Sequence, residues 1–370
     1  MNKARIAVIG AGWWATTAHI PAVKSHPNAE LVAIQSREQS NVERIARDFE
    51  VKHASTRIEE LLNVELDGVI VSSTPNVHHA QAKAALECGL HVLVEKPMTF
   101  TAAESRELVE LAARKKLHLM ISCPWHFTAH GIEARRLIQS GALGEIKMIS
   151  VLMTNPIDKL LRGINTSPTH EMENVYVEPC KGSYNEPAIA GGGQIYCQVS
   201  HAAAYLTFLT GLRAAEVFAR FDRDGSPNDI YNALTITLEN GALVNLASTG
   251  ATPLRERHYE VRVFGTEAIL QLELWHGTMA LTDFAGRRTD FPTLAEEQIY
   301  PSRAPALNFV DAILGKAANG SPGELGLAAM EIIEAACESA RTNRSEKIRE
   351  VSQSYAGRTL EKTATVREDA

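Results

Sequence analysis

Three short stretches hold the residues whose types and spacing could do chemistry. Glu95-Lys96-Pro97 directly follows the apolar run His91-Val92-Leu93-Val94. So short a run after Gly89 reads as a buried parallel strand. Ligands of open parallel sheets bind in the crevice outside the carboxyl ends of the strands. Lys96 is therefore delivered by a rigid element to a place where an ammonium can share a hydroxyl proton. Pro97 fixes the backbone behind it. The plainer reading is a solvated lysine in a strand-to-helix loop.

Gly10-Ala11-Gly12-Trp13-Trp14-Ala15 has the G-x-G-x-x-A form and follows the strand-like Arg5-Ile6-Ala7-Val8-Ile9. Gly10 permits a tight turn, Gly12 lets the backbone approach a pyrophosphate, and Ala15 keeps the next helix close to the strand. That helix offers free N–H groups and the positive end of its dipole to phosphate. The next apolar run, Leu31-Val32-Ala33-Ile34, ends in Gln35-Ser36-Arg37. An acidic residue there would hold ribose hydroxyls. Ser36 with the Arg37 guanidinium instead suits a 2′-phosphate, so NADP is favoured over NAD. An Arg37 that stacks on adenine or faces solvent leaves NAD acceptable.

The third stretch is Gly191-Gly192-Gly193-Gln194-Ile195-Tyr196-Cys197-Gln198-Val199-Ser200-His201. Cys197 and His201, four apart, share one face of a helix. A neutral histidine with no acid beside it can take a proton from a hydroxyl, with Lys96 sharing the work. A Cys–His nucleophile is the second reading, although nothing marks a thiolate-stabilising site. A zinc site is the third, but the only similar pair, His126 and His130, has no feature bringing it close. No metal is expected. The bland reading makes Cys197 a small buried residue and His201 a core histidine.

The elements that must position these groups alternate through the first third of the chain. Strands are expected at 5–9, 31–34, 68–73, 91–94 and 117–122. Helices are expected at 41–50, 57–63, 78–88 and 101–116, with Thr74-Pro75-Asn76 as a turn. This alternation predicts a doubly wound parallel sheet. After residue 122 longer β-prone runs appear at 146–153, 214–220, 233–238, 243–248, 259–264 and 269–274. The Glu239-Asn240-Gly241-Ala242 turn joins two of them as a hairpin, and a mainly antiparallel sheet with a few helices is expected. The stretch 155–190, rich in Pro, Asn and Gly, is long enough to be functional. Lys159, Arg162 and Arg255 are candidates for an acidic substituent, each more ordinary as a solvated loop residue. A helix is expected at 327–342, and the residues from 352 read as a polar tail.

At 370 residues the chain fits two domains. They are expected at 1–122 (dinucleotide binding) and 123–350 (substrate binding and oligomer contacts), with a tail at 351–370. The net charge of −7 gives no basic excess, so nucleic acid is not an expected partner. No apolar run is of membrane-spanning length, and no secretory signal is evident. The five cysteines are scattered, which suits free thiols in a reducing cytoplasm.

Taken together, Gly10 to Ala15, Ser73-Thr74-Pro75-Asn76 with His79, and Glu95-Lys96-Pro97 resemble the Gfo/Idh/MocA family of NAD(P)-dependent oxidoreductases. The resemblance extends through Ser140-Gly141-Ala142-Leu143-Gly144-Glu145-Ile146 to the glycine run and His201. It implies an α/β Rossmann doubly wound sheet followed by an α+β domain with a large, mainly antiparallel open sheet. It implies a homodimer or homotetramer and a sugar, polyol or related substrate. Lys96 becomes the catalytic lysine beside the nicotinamide, with Ser73, Thr74, Pro75, Asn76, His79, Glu95 and Pro97 on the cofactor side. His126, Tyr184, Asn185, Cys197 and Gln198 become candidates for substrate contacts. The chain departs from the family's G-G-G-x-x-x-D-x-G-x-H-x-x-D pattern, with Cys197, Val199 and Ala204 at the Asp, Gly and second Asp positions. That departure keeps a redox-neutral glycoside hydrolase or lyase, working by transient oxidation, as the alternative. A non-catalytic NAD(P)-binding sensor is the third reading.

If Arg37 holds a 2′-phosphate, Arg37→Ala lowers NADP affinity by about tenfold or more and leaves NAD affinity in place. Nucleotide titrations of both proteins measure the ratio, and a wild-type preference for NAD that the substitution does not touch removes the assignment.

Overall fold

The computed structural model describes residues 3–164, 176–179 and 182–348. Cys180, most of the middle of the 155–190 stretch and the expected tail at 351–370 lie outside the described residues. Six strands form the first sheet: β1 (Ala4–Ile9), β2 (Ala29–Gln35), β3 (His53–Ser55), β4 (Gly68–Val71), β5 (His91–Val94) and β6 (Leu119–Ile121). Their order is β3-β2-β1-β4-β5-β6, and every pairing is parallel. Val69, Ile70, Val71, Val92, Leu93 and Val94 are fully buried, as strands covered by helices on both faces must be. The order reverses between β1 and β4, which opens a crevice at the carboxyl ends of β1, β4 and β5.

Local chemistry explains most of the helix boundaries. Thr101 caps the helix Ala102–Lys115 by a reciprocal box with Glu104, and Lys116 ends it at φ 58°. The helix expected from residue 78 begins earlier, at Pro75, because proline is pre-set for the first helical position. Behind Gly12, residues Ala15–His19 form a π-helical turn in which Ile20 N–H bonds back to the Ala15 carbonyl. Pro21, lacking an N–H, cannot continue the ordinary ladder there.

The second sheet has nine strands: β7 (Ile146–Thr154), β8 (Ala214–Asp222), β9 (Tyr231–Leu238), β10 (Leu243–Thr249), β11 (His258–Gly265), β12 (Ala268–Glu273), β13 (Thr278–Asp283), β14 (Arg288–Asp290) and β15 (Glu346–Lys347). They lie in the order β14-β13-β12-β11-β7-β10-β9-β8-β15. Only β7 and β10 pair in parallel. The helices Ser200–Thr210 and Gly323–Thr342 pack on one face, burying the alternate residues of β8 to β12. Met148, Leu152, Tyr231 and Leu243 stay exposed on the other. Strands β3, β13, β14 and β15 were not expected. Strands β3, β14 and β15 are short and mostly exposed, and in β13 the buried Met279 and Ala280 are adjacent, so none shows an apolar alternation.

Downstream of the second sheet, the helix Ala304–Ile313 returns to the first. Phe309 and Val310 join a core with Ile6, Val8, Ile70 and Leu93. The absence of a side chain at Gly68 makes room, since a Cβ there would stand 2.9 Å from the Phe309 ring. Among the described residues no helix is long and apolar enough to cross a membrane. Phe309→Ala empties the centre of this contact and is expected to cost about 3–5 kcal/mol in a urea melt.

Candidate functional site

A cleft of about 1760 Å³ separates the two sheets. On the nucleotide side it is lined by Gly10, Gly12, Trp13, Trp14, Ser36, Arg37, Ser73, Thr74, Pro75, Asn76 and Pro97. Gly10 sits at φ +78°, and a Cβ there would stand 2.4 Å from the Ser73 backbone. The two loops touch, so only glycine fits. A Cβ on Gly12 would meet nothing nearer than the Gly10 carbonyl at 3.9 Å. That open space above a glycine backbone is the cradle a pyrophosphate needs. Ala15 is fully buried in the core below and outside the lining, as a packing role requires. Arg44 joins Ser36 and Arg37 in the lining and bonds the Tyr176 carbonyl at 3.2 Å, stacking on that ring at 4.5 Å. Arg44, in the helix Gln39–Asp48, has no spacing that marks it in the sequence.

β5 is directly followed by Glu95, only 8% exposed. Its Oε1 accepts Trp14 Nε1–H at 2.8 Å and meets His19 Nε2 at 2.9 Å, while Oε2 accepts the Lys96 N–H at 3.1 Å. Burial pushes the Glu95 carboxyl up. The bond and charge of His19, with Lys96, outweigh it and leave the group below its ordinary value. Lys96 Nζ crosses the cleft to donate to the Cys197 carbonyl at 3.1 Å.

Cys197 lies in the π-helical turn Ile195–Val199 that opens the helix Ser200–Thr210, and His201 follows on that helix. Both line the cleft with Lys96. The His201 ring meets Trp125 edge-on at 5.2 Å, and its Nδ1 has no hydrogen-bond partner among the described residues. Burial, then the charge of Lys96, holds His201 well below the usual histidine range, so it is a neutral imidazole at pH 7. Burial raises the Cys197 thiol, against a nucleophile.

A carboxylate that the sequence did not single out anchors this helix. Asp229, 6% exposed in the β8–β9 connection, accepts Gly193 N–H at 3.0 Å and Ile195 N–H at 2.7 Å. Gly193 must be glycine, because a Cβ would lie 2.2 Å from the Asp229 carbonyl.

Tyr184 and Gln198 line the cleft, and so does Lys159. His79, His126 and Asn185 lie outside the lining, and their packing accounts for it. His79 is outside the lining and pairs with Glu107 at 2.7 Å. Successive helix residues point about 100° apart, and it is His78 that faces the cleft, its ring spanning the Ser73 and Pro97 carbonyls at 3.0 and 2.9 Å. His126 lies behind the cleft, stacked on Phe208 at 4.4 Å with Nδ1 2.8 Å from Ser321 Oγ. Its neighbour Trp125 takes the cleft position. The Asn185 carbonyl holds Asn228 Nδ2 at 2.8 Å, and its side chain packs over Gly163. Arg162 pairs with Asp158 and Asp224, and Arg255 lies outside the lining. Trp125, Trp275 and Tyr300 form an aromatic wall, with Trp125 4.7 Å from Tyr300 and 5.0 Å from Trp275. Arg257 stacks over Trp275 at 3.2 Å. They come from separate elements, so no local pattern could have found them.

The buried rings predict acid sensitivity. Burial, with Arg135 adding to it, lowers His126 from 6.5 to about 3, and His201 is depressed as well. Below pH 6.5 the unfolded chain therefore binds protons that the folded chain refuses. Stability falls on acidification by about 1.4 kcal/mol per pH unit for each ring. Denaturant midpoints measured from neutral pH downward are expected to show this slope, and His126→Phe to remove one ring's share.

Residues 4–123 match the oxidoreductase family with an NAD-binding Rossmann fold, Gfo/Idh/MocA, and residues 132–271 match the Gfo/Idh/MocA C-terminal domain. An uncharacterized oxidoreductase of Synechocystis is 29% identical over 252 residues, 67% of this chain and 63% of that protein. The dTDP-3,4-didehydro-2,6-dideoxy-α-D-glucose 3-reductase of Saccharopolyspora spinosa is 35% identical over 41% of this chain and 46% of its own. The NADP-dependent D-xylose 1-dehydrogenase of Haloarcula marismortui is 32% identical over 43% and 46%. The matched part thus spans less than two thirds of each of these relatives. Among solved structures, levoglucosan dehydrogenase in complex with NADH and levoglucosan aligns with a TM-score of 0.78 at 18% identity, covering 94% of this chain and all of that one. The Caulobacter crescentus aldose-aldose oxidoreductase aligns at 0.74 and 22%, with coverage of 94% and 100%. The latter two share the fold. With both domain models matched in chain order around one cleft, the chain belongs to the Gfo/Idh/MocA family of oxidoreductases.

Proposed function

We propose that the protein moves a hydride between a nicotinamide cofactor and a secondary alcohol of a sugar, polyol or sugar derivative. The observation that carries this reading is that Lys96, bonded to the Cys197 carbonyl, and His201 line one cleft whose other end is a Gly10–Gly12 phosphate cradle. The relatives named for sugar reduction and oxidation support the substrate class. The nicotinamide, when bound, supplies the hydride acceptor or donor. Gly10, Gly12 and Trp13, with the Ser73–Asn76 loop, would hold the pyrophosphate, and Ser36 with Arg37 and Arg44 the adenosine ribose. Arg37 and Arg44, with Ser36 where an acidic residue would hold ribose hydroxyls, keep NADP the favoured partner.

His201, neutral and aimed into the cleft, accepts the hydroxyl proton. Lys96 has three donors. One is spent on the Cys197 carbonyl, which fixes the ammonium and leaves two for the substrate oxygen as charge develops there. Glu95 holds the Lys96 backbone, so the ammonium is aimed before substrate arrives. The wall of Trp125, Trp275 and Tyr300 suits the C–H face of a sugar ring, with Tyr184 and Gln198 as polar contacts. The open face bearing Met148, Leu152, Tyr231 and Leu243 is the surface through which two copies would join.

Lys96→Ala and His201→Ala are each expected to lower kcat by about 10²–10⁴-fold while nucleotide still binds. Wild-type activity falls as acid protonates His201, on a limb below pH 6.5 that His201→Ala loses. The assay is nicotinamide absorbance across a sugar and glycoside panel, with aglycone release recorded in parallel. Unchanged turnover in Lys96→Ala would sink the proposal. Released aglycone without net absorbance change would replace it with elimination through transient oxidation.

A further inference from the structure

We propose that His258, Glu273 and His276 form a binding site for a divalent transition-metal ion of the zinc type. β11 begins at His258 and runs antiparallel to β12, which ends at Glu273, and His276 lies in the turn that follows. Their three candidate ligand atoms lie within 4.8 Å of one another. His276 Nδ1 is 2.5 Å from Glu273 Oε2, and His258 Nδ1 is 3.9 Å from Glu273 Oε1. The carboxylate is already aimed, because its two oxygens accept the backbone N–H groups of Tyr259, at 2.8 Å, and of His276.

His258 Nδ1 is what calls for an ion. It is shielded from solvent and has no hydrogen-bond partner among the described residues. Buried polar atoms are rarely left so. The other ring nitrogen, Nε2, lies 3.8 Å from Glu256, and Glu260 stands 4.0 Å from Nδ1. Two imidazoles facing three carboxylates make a local field that favours a cation. Outer carboxylates also orient a ligating ring through its far nitrogen. Two nitrogens and one oxygen suit zinc, cobalt or nickel rather than calcium or magnesium, which prefer all-oxygen shells. Bonds of about 2.0–2.2 Å place tetrahedral ligands roughly 3.5 Å apart. The His276 ring, half exposed, can close that gap by turning.

None of the three lines the cleft, but two of its wall residues are their immediate neighbours. Arg257 precedes His258 and Trp275 precedes His276. An ion would therefore tie together the two segments that stack the Arg257 guanidinium on the Trp275 indole. Its role is a brace for the substrate wall, away from the reacting carbon.

The test is calorimetric titration of chelator-treated full-length protein with zinc chloride, repeated on His276→Ala and His258→Ala. The expected result is one equivalent per chain bound with micromolar affinity or better, weakened by about tenfold or more in each variant. Cobalt(II) is expected to give visible absorption bands of a low-symmetry site in wild type alone. His276 is exposed enough for His276→Ala to fold, which a circular dichroism spectrum checks. No binding by wild type, or equal binding by folded His276→Ala, overturns the proposal.

Discussion

The buried Glu95 carboxylate joins parts of the chain that are far apart in sequence. Trp14 and His19, on the helical segment behind the glycine turn, both reach its Oε1, and the Lys96 backbone binds its Oε2. A charge so buried is tolerated only when its bonds are complete. The glycine turn and the lysine are therefore positioned by one group, and neither can drift without leaving that charge uncompensated. The π-helical turn at Ala15–His19 belongs to the same constraint, since it carries His19 to the carboxylate.

Asp229 plays the matching part in the second domain. It takes two backbone N–H groups at the entry to the helix of His201, and so sets where that helix starts. The bond from Lys96 Nζ to the Cys197 carbonyl then spans the two halves. Both proposed proton-handling groups thus hang on buried acids, Glu95 and Asp229. The aromatic wall and its Arg257 are supplied by four further segments, none of which belongs to the glycine cradle.

Much of the frame was legible. Residues 91–94 and 68–73 read as parallel strands because both faces are covered and the runs are apolar, although the second strand ends at Val71, before the two serines. Residues 243–248 read as a strand of a mainly antiparallel sheet because alternate positions meet the helices. Charged, exposed β14 offered no such pattern. Within the site, Gly10, Gly12 and Lys96 were legible because backbone conformation and strand ends constrain residue type locally. His79 and His126 were misplaced because a rotation of one residue on a helix, or one step along a short turn, separates cleft from interior.

The amino-acid sequence by itself determined the alternation of elements, the glycine turn and the strand that carries Glu95 and Lys96, since these follow from periods and backbone angles of adjacent residues. Only the tertiary structure decided that Asp229 caps the helix of His201 and that His78 rather than His79 faces the cleft. It alone brought Trp125, Trp275 and Tyr300 into one wall, and His258 beside Glu273 and His276. The physical reason is the range of the forces involved. Turn geometry and apolar periodicity act over a few residues, whereas burial and hydrogen-bond partnership depend on which distant segments the packed core brings together.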